Sequence, residues 1–418
     1  MRFRTILLAM MAALVLFGSV GTSQAGLNAV DLGPYVADFG NYPVWYQDTN
    51  GRALQLCRNE SLCLAPVLPN PDPAVPMSFP DNWPDELFWF TGETSIIGGG
   101  VDLRYVSAIE AAFSGGVVDG GQITFARIRF VADLATPGTY TITHPYGIHV
   151  FEVAAVDAGR EIFFTEDIGI GAPGDFTGAL KGSVGPYLVR VDALGNPSLI
   201  TALDGIFIGD PGVTQRVTGS PFGTNFLRIQ GPGVDITTDQ FFVSGKLYEQ
   251  TLPSPLVVDR TTYSRTALQT QVDVFATSAP TATVSFTAAA AGASPPMGGD
   301  TLGRFFGQAV DPAPLPATVD VTANNPSLNN SPTTRADNAV IDLVSITKVE
   351  YSGGNLVIEA SSSDETSLPT LSYGGLPLVP TGVGATQSLT VSGLTIPPVA
   401  VTVTSAAGGS DTEDVVLP

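Results

Sequence analysis

Apolar and polar residues alternate along much of this chain, and the alternation predicts β-strands. In residues 399–404 the three valines would face a core, while the alanine and threonines between them face outward. Residues 272–276 show the same period of two. Because 46 Gly and 33 Pro divide the chain into short runs, little room is left for long helices. The segment 107–113 is the one short helix that the pattern suggests, so we predict an all-β protein.

An internal repeat organises the C-terminal part. Three segments recur there in the same order: 258–263 matches 346–351, 272–278 matches 356–362, and 316–322 matches 398–404. The spacing between the copies is roughly that of one small β-sandwich domain. The pattern therefore indicates a duplicated domain.

The second copy resembles the bacterial immunoglobulin-like modules of surface and secreted proteins. The resemblance rests on Ser-Ser-Ser-Asp-Glu at 361–365, Gly-Leu-Thr-Ile-Pro-Pro at 393–398 and Gly-Gly-Ser-Asp at 408–411, and it covers about 255–418. It implies two immunoglobulin-like β-sandwiches. We predict a signal peptide at 1–25, an N-terminal β domain of one or two lobes at 26–250, and immunoglobulin-like domains at 251–341 and 342–418.

The first residues have the order of a secretory signal peptide. Arg2 and Arg4 precede an apolar run over 6–20, and Ser23-Gln24-Ala25 supplies the small residues of a cleavage site. No second long apolar run follows, so no membrane span is expected. These features predict a secreted, periplasmic or cell-surface protein.

The charge is strongly one-sided. The formal net charge is −21, and lysine occurs only at positions 181, 246 and 348. Such a surface repels phosphate backbones, which excludes nucleic acid as a partner, and it disfavours anionic membranes. The main interpretation of this charge is that it keeps the protein soluble outside the cell. Calcium is the alternative, because the segments 48–51 and 166–175 offer hard oxygen ligands, although neither has the spacing of an EF-hand loop.

The two cysteines, Cys57 and Cys63, are close in sequence. In an exported protein such a pair is expected to form one disulfide, here closing the small loop 58–62. A redox or metal-binding pair is disfavoured, because the spacing is not C-x-x-C and no histidine lies near it in sequence.

The two histidines, His144 and His149, lie close together in sequence. If Tyr146 and Gly147 form a hairpin turn, the imidazoles lie opposite one another on paired strands. Two such rings are the start of a zinc or copper site, whose third ligand would be a distant carboxylate. The alternative, which composition favours, is a half-buried pair closing the end of a core.

All three tryptophans, Trp45, Trp83 and Trp89, lie in the N-terminal region. They are candidate ligand-binding aromatics that would stack against a sugar, or else core residues beneath a proline-rich loop. Carboxylates at 85, 86 and 93 lie near Trp83 and Trp89 in sequence. Because glycoside hydrolysis uses two carboxylates, this activity stays an alternative. The segment 219–223 is not a G-x-S-x-G nucleophile elbow, since serine directly follows the first glycine. We therefore assign no catalytic residue.

The N-terminal region resembles a group of exported bacterial proteins of unknown function. The stretches that carry this resemblance are 45–51, 142–147 and 217–229. It implies export and domain boundaries, and no activity. The sequence as a whole predicts adhesion, matrix association or binding of a cell-surface glycan or protein, with spacer domains. The alternatives are a secreted polysaccharide hydrolase and an envelope protein that binds a transition metal.

Overall fold

The computed structural model describes residues 26–156, 159–288 and 296–417. Regular structure in these residues is almost entirely β, with short 3-10 helices at Ala37–Phe39, Gly178–Lys181 and Pro326–Leu328. The all-β prediction is confirmed. Among the described residues no helix is long and apolar enough to cross a membrane. The predicted signal peptide at 1–25 lies outside them.

The N-terminal β domain is built from short and long antiparallel strands. In chain order they are β1 Leu27–Val30, β2 Trp45–Asp48, β3 Ala53–Gln55, β4 Leu87–Gly98, β5 Val101–Phe113, β6 Gln122–Leu134, β7 Gly138–His144, β8 Gly147–Val153, β9 Ile162–Ile168, β10 Val189–Arg190, β11 Ile200–Ala202, β12 Gly205–Phe207, β13 Gln215–Thr218, β14 Leu227–Gly231, β15 Val234–Thr238, β16 Gln240–Ser244 and β17 Lys246–Leu247.

Three sheets make up this domain. A seven-stranded sheet has the order β10-β13-β16-β4-β5-β6-β9, a four-stranded sheet the order β15-β14-β7-β8, and a six-stranded sheet the order β1-β2-β3-β17-β12-β11. One hydrophobic cluster extends from Leu27 to Val243 and joins residues of all three. The chain passes from the seven-stranded to the four-stranded sheet just after Leu134. The two sheets share that core.

The predicted helix at 107–113 is wrong, because this segment is part of β5. β5 pairs along its length with β4 on one side and β6 on the other. Ala108, Ile109, Glu110 and Ala111 are all buried, so both faces of the strand are covered here. A strand buried on both faces loses its period-two pattern and cannot be told from a short helix by periodicity.

Two smaller β-sandwiches follow. The strands of the first are β18 Leu256–Arg265, β19 Thr270–Ser278, β20 Thr283–Ala288, β21 Gly298–Gly299, β22 Arg304–Val310, β23 Thr318–Asn324, β24 Thr333–Ala339 and β25 Ile341–Asp342. Those of the second are β26 Val344–Ser352, β27 Asn355–Ser362, β28 Leu371–Tyr373, β29 Leu376–Pro377, β30 Val379–Pro380, β31 Thr386–Ser392, β32 Ala400–Ser405 and β33 Ser410–Asp414.

The two sandwiches share one strand order. The sheet β21-β22-β19-β18 of the first corresponds to β30-β31-β27-β26 of the second, and β20-β23-β24 corresponds to β28-β32-β33. A register shift follows Val258 in β18, and another follows Ile346 at the matching place in β26. The repeated segments of the sequence therefore occupy equivalent strands of two immunoglobulin-like sandwiches.

Each sandwich has its own hydrophobic cluster. That of the first includes Val272, Val274 and Phe286, and that of the second includes Leu356, Ile358 and Val401. Both clusters consist of residues that alternate along their strands, as the sequence pattern requires. The prediction that Val399 also faces the core is wrong, because Val399 lies just before β32 and is exposed. Neither cluster depends on a side chain of the N-terminal cluster.

A fragment comprising residues 342–418 is expected to fold by itself. Its core residues, among them Leu356 and Val403, are buried against one another within the fragment. The measurement is circular dichroism with thermal unfolding, which should give a β-type spectrum and a cooperative transition. A disordered fragment would contradict an independent second sandwich.

Candidate functional site

Cys57 and Cys63 form a disulfide, as the sequence predicts, with their Cα atoms 5.7 Å apart. The loop that it closes packs against the six-stranded sheet, where both cysteines form a cluster with Phe207 of β12. Lys246 Nζ lies 3.2 Å from Glu60 Oε1 across this contact. Within the described ranges, the one close group of three metal-ligand side chains is Cys57, Glu60 and Cys63, and the disulfide occupies both of its thiols.

A cavity of ≈ 350 Å³ lies beside the disulfide loop. Its walls are mostly apolar and include Cys57, Val67 and Phe88, and the exposed acidic residues Asp85 and Glu86 also line it. The strand β4 and the proline-rich segment before it bring these residues together. The cavity can accommodate an apolar group of a ligand. Asp85 and Glu86 place negative charge beside that group.

Behind Glu86 lies a buried cluster of charged side chains. Glu110, on β5, is 1% exposed. Arg127, on the neighbouring β6, lies 2.9 Å from Glu110 through its Nη1 and 2.7 Å from Asp167 through its Nε. Burial raises the pKa of Glu110 to about 8, Arg127 opposes that rise, and Glu86 adds to it by repulsion and by a hydrogen bond. At neutral pH the Glu110 carboxyl therefore keeps its proton.

The contact between Glu86 and Glu110 differs from the carboxylate pair of a glycoside hydrolase. Those enzymes hold their two carboxyl groups about 5–10 Å apart, so that the sugar and, in inverting enzymes, a water fit between them. Here the two side chains are hydrogen-bonded to each other. This contact leaves no space for a substrate between them. This arrangement does not support the polysaccharide hydrolase alternative.

His144 and His149 lie at the open edge between the four-stranded and seven-stranded sheets. The hairpin turn is formed by Pro145 and Tyr146, because His144 pairs with Gly147 and Ile142 pairs with His149. The predicted turn is thus wrong by one residue, and the histidines are diagonal rather than directly opposite. They still share a face, and their ring centroids are 5.1 Å apart.

Aromatic side chains surround the histidine pair. Phe130 packs against both rings, and Phe164 lies 4.9 Å from His149, centroid to centroid. Burial and the neighbouring His149 lower the pKa of His144 to about 3. Burial also lowers the pKa of His149, while Glu166 opposes this. No carboxylate in the described residues completes a group of three ligand atoms with the two imidazoles. The metal site therefore stays a prediction.

The tryptophans belong mainly to the core. Trp83 is 2% exposed and Trp89 is fully buried, with its Nε1 donating to the Val44 carbonyl at 3.3 Å. Neither ring offers a face to a ligand. The interpretation of Trp83 and Trp89 as ligand-binding aromatics is therefore corrected, and both are core residues. Trp45 is partly exposed and stacks on Tyr248. It remains a candidate contact residue.

Asp48, in the first segment considered for calcium binding, has a structural role. It is buried, and its carboxylate accepts the backbone N–H groups of Arg52 at 2.8 Å and Tyr187 at 3.0 Å. Asp175, at the end of the second segment, accepts hydrogen bonds from the backbone and side chain of Thr177. These oxygens stabilise turns and loops, and calcium binding at either segment stays a prediction.

Comparison with known proteins adds little about function. No family model matches the sequence, and no curated protein matches it. Among solved structures, a chimeric titin Z1Z2-Z1Z2 tandem carrying a fibronectin GRGDS peptide is 14% identical, with a TM-score of 0.15, over 39% of this chain and 100% of that chain.

Two other solved structures are similar over more of the chain. The titin I9-I11 tandem is 9% identical over 70% of this chain and 94% of its own, with a TM-score of 0.17. A structure from a 1.5-MDa bacterial ice-binding adhesin, described for host cell surface retention, is 11% identical over 70% and 91%, also with a TM-score of 0.17. Such low scores carry no functional argument.

Proposed function

We propose that this chain is an exported envelope or extracellular protein that binds a surface ligand through its N-terminal β domain. In this proposal the two immunoglobulin-like sandwiches are spacers that hold the binding domain in a fixed orientation. The observation that supports it most is the nature of the two junctions between domains. Direct hydrogen bonds cross both junctions, and each junction includes a fully buried polar side chain, Asn325 at the first and Asp364 at the second.

At the first junction the turn between β2 and β3 docks onto the first sandwich. Asn325 Nδ2 donates to the Asn50 carbonyl at 3.2 Å, and Asn330 Nδ2 donates to the Gly51 carbonyl at 3.0 Å. Gln47 Nε2 donates to the Pro253 carbonyl at 3.1 Å. Gly51 has a φ of +89°, and a Cβ there would lie 2.3 Å from Asn330 Oδ1. Only glycine permits so close an approach.

At the second junction the end of β18 meets the segment that follows β27. Arg265 Nη2 lies 2.5 Å from Asp364 Oδ2, and Tyr263 Oη donates to the same oxygen at 3.2 Å. The backbone N–H of Arg265 donates to the Ser363 carbonyl at 2.9 Å, and the Glu365 N–H donates back to the Arg265 carbonyl at 2.7 Å. Backbone and side-chain contacts therefore cross the junction together.

These contacts distinguish the chain from domains joined by free linkers. A flexible linker leaves domain orientation undetermined, whereas buried polar groups with specific partners favour one arrangement, because separating them leaves donors and acceptors unpaired. Asn325 is fully buried, and so is Asp364. Rigid junctions are what a spacer needs.

Several features support recognition by the N-terminal domain. It contains the cavity beside Glu86, the histidine pair and the partly exposed Trp45. Recognition surfaces tend to use large aromatic side chains and loops rather than regular strands of small residues. The sandwiches consist mainly of strands rich in valine, threonine and serine. We therefore assign binding to residues 26–250 and spacing to residues 251–418.

Loss of the first junction is expected to release the N-terminal domain from its fixed orientation. The double variant Asn325→Ala/Asn330→Ala removes both side-chain amides that donate to the turn. Small-angle X-ray scattering should fit one conformation for the natural protein and require an ensemble for the variant. Gln308→Ala is the matched control, because Gln308 is an exposed amide on the outer face of β22. Identical curves for all three proteins would contradict a rigid junction.

Binding is expected to segregate with the N-terminal domain. Residues 26–250 and residues 251–418 would be applied separately, beside the full chain, to arrays of glycans and extracellular-matrix proteins. We expect the N-terminal half to reproduce the pattern of the full chain and the second half to bind nothing in common with it. Binding by residues 251–418 alone would reverse the assignment of roles.

A further inference from the structure

His144 contains a buried nitrogen that the protein itself does not satisfy. The side chain is fully buried. Its Nδ1 lies 3.1 Å from Tyr105 Oη and 3.4 Å from the backbone nitrogen of Tyr146, while its Nε2 has no hydrogen-bond partner among the described residues. A buried polar atom without a partner destabilises the folded state. Such atoms are rare in native proteins, and a functional role or a bound ion is one explanation.

The unpaired nitrogen is directed toward the strand that carries the other histidine. A Cβ on Gly147 would lie 3.5 Å from His144 Nε2, so the glycine leaves the space beside this nitrogen open. His149 is two residues further along β8 on the same face, whereas Ile148 and Val150 are exposed on the opposite face. The two imidazoles, with centroids 5.1 Å apart, therefore converge on one region.

A carboxylate lies across the opening from the two rings. Glu166, on β9, pairs with the buried Ile128, so its side chain is on the face that looks toward His149. It interacts electrostatically with His149 and is half-buried. β8 and β9 are the outermost strands of their sheets, and His149 and Glu166 are both partly exposed. In this structure Glu166 accepts a hydrogen bond from Ser183 Oγ at 3.5 Å and does not form a close group of three ligand atoms with the two rings, so metal binding requires its carboxylate to turn away from Ser183.

We propose that His144 and His149 bind a divalent first-row transition-metal ion, with Glu166 as the third protein ligand. Imidazole nitrogen suits zinc, copper and nickel, whereas calcium and magnesium prefer oxygen. When Nε2 binds the metal, the ring proton lies on Nδ1 and is donated to Tyr105 Oη, and the 3.4 Å hydrogen bond from the Tyr146 N–H to Nδ1 is given up. A hydrogen bond of this kind orients a metal-binding imidazole and fixes its tautomer.

The composition of the chain makes the test specific. The chain has two histidines, and its two cysteines form the disulfide, so an imidazole signal from bound metal can arise only from His144 and His149. Tag-free full-length protein would be loaded with one equivalent of Cu²⁺ and examined by pulsed electron paramagnetic resonance. We expect coupling to the nitrogens of two imidazoles. A spectrum without nitrogen coupling, as expected when surface carboxylates alone bind the ion, would overturn the proposal.

Variants and a second metal test each ligand separately. Competition with a chelator should show that His149→Ala weakens Zn²⁺ binding at least tenfold and that Glu166→Gln weakens it less. Glu152→Gln, an exposed substitution on the same β8, should leave it unchanged. Equal affinity of the natural protein and His149→Ala would also overturn the proposal. If His149→Ala does not fold, nitrogen-15 NMR of the natural protein decides, because Zn²⁺ should shift the nitrogen signals of both rings.

Discussion

Asp364→Ala is expected to lower the free energy of unfolding by about 3–5 kcal/mol, the cost of removing one partner from a buried ion pair. The Asp364 side chain is 1% exposed and accepts hydrogen bonds from Arg265, from Tyr263 Oη, and from two backbone N–H groups, those of Thr366 and Ser367. Alanine leaves all of these donors without their acceptor, which is itself a buried carboxylate. Chemical denaturation of the full chain, followed by circular dichroism, measures the change.

The matched control for Asp364 is a half-exposed ion pair in the same sandwich. Lys348 Nζ lies 3.0 Å from Glu350 Oε2, with side chains 36% and 43% exposed. Glu350→Ala is expected to cost at most about 1 kcal/mol, since solvent screens such a pair. Small-angle X-ray scattering should also show looser packing at the second junction for Asp364→Ala, and no such change for Glu350→Ala. A loss below about 1 kcal/mol for Asp364→Ala would contradict a stabilised junction.

The natural protein is expected to become less stable as pH rises from about 4.5 to about 8. The substitution Glu110→Gln is expected to abolish this loss. The ordinary pKa of a glutamate is 4.5, and in the folded protein the pKa of Glu110 is raised to about 8, chiefly by burial. Between these values the folded state retains a proton that the unfolded chain has released. The free energy of unfolding therefore falls with rising pH across this window.

The size of that effect has an upper bound of about 1.4 kcal/mol per pH unit for one proton. Glutamine imitates the neutral acid, so the variant should be as stable as the natural protein near pH 4 and more stable near pH 8. Urea denaturation at a series of pH values measures the difference. Glu152→Gln, an exposed substitution, is the control and should leave the profile unchanged. Parallel profiles for the natural protein and Glu110→Gln would show that Glu110 does not retain a proton.

The sequence by itself determined the features that depend on neighbours along the chain. The period-two pattern of residues 272–276 and 399–404 specified the strands β19 and β32, because alternate side chains of a strand face opposite sides of a sheet. The repeated segments specified two sandwiches with the same strand order. The disulfide could be predicted because Cys57 and Cys63 are the only cysteines.

The sequence contains a signal for the cluster of Glu110, Arg127 and Asp167, but the signal can be interpreted only once the strands are known. Glu110 is the single charged residue within the apolar run 108–113, and a charge in such a run needs a partner. The sequence interpretation of this run as a short helix concealed that requirement. Burial on both faces of β5 is set by strands that precede and follow it, and no local pattern reports it.

Only the tertiary structure decided which distant side chains meet. Glu110, Arg127 and Asp167 come from three adjacent strands, and the register of those strands brings their charges together. The same holds for the burial of Trp83 and Trp89, and for the contacts of Asn330 and Asp364 across the two junctions. The physical reason is that pKa values and ion pairs depend on separation in space and on exclusion of water, and sheet pairing sets both.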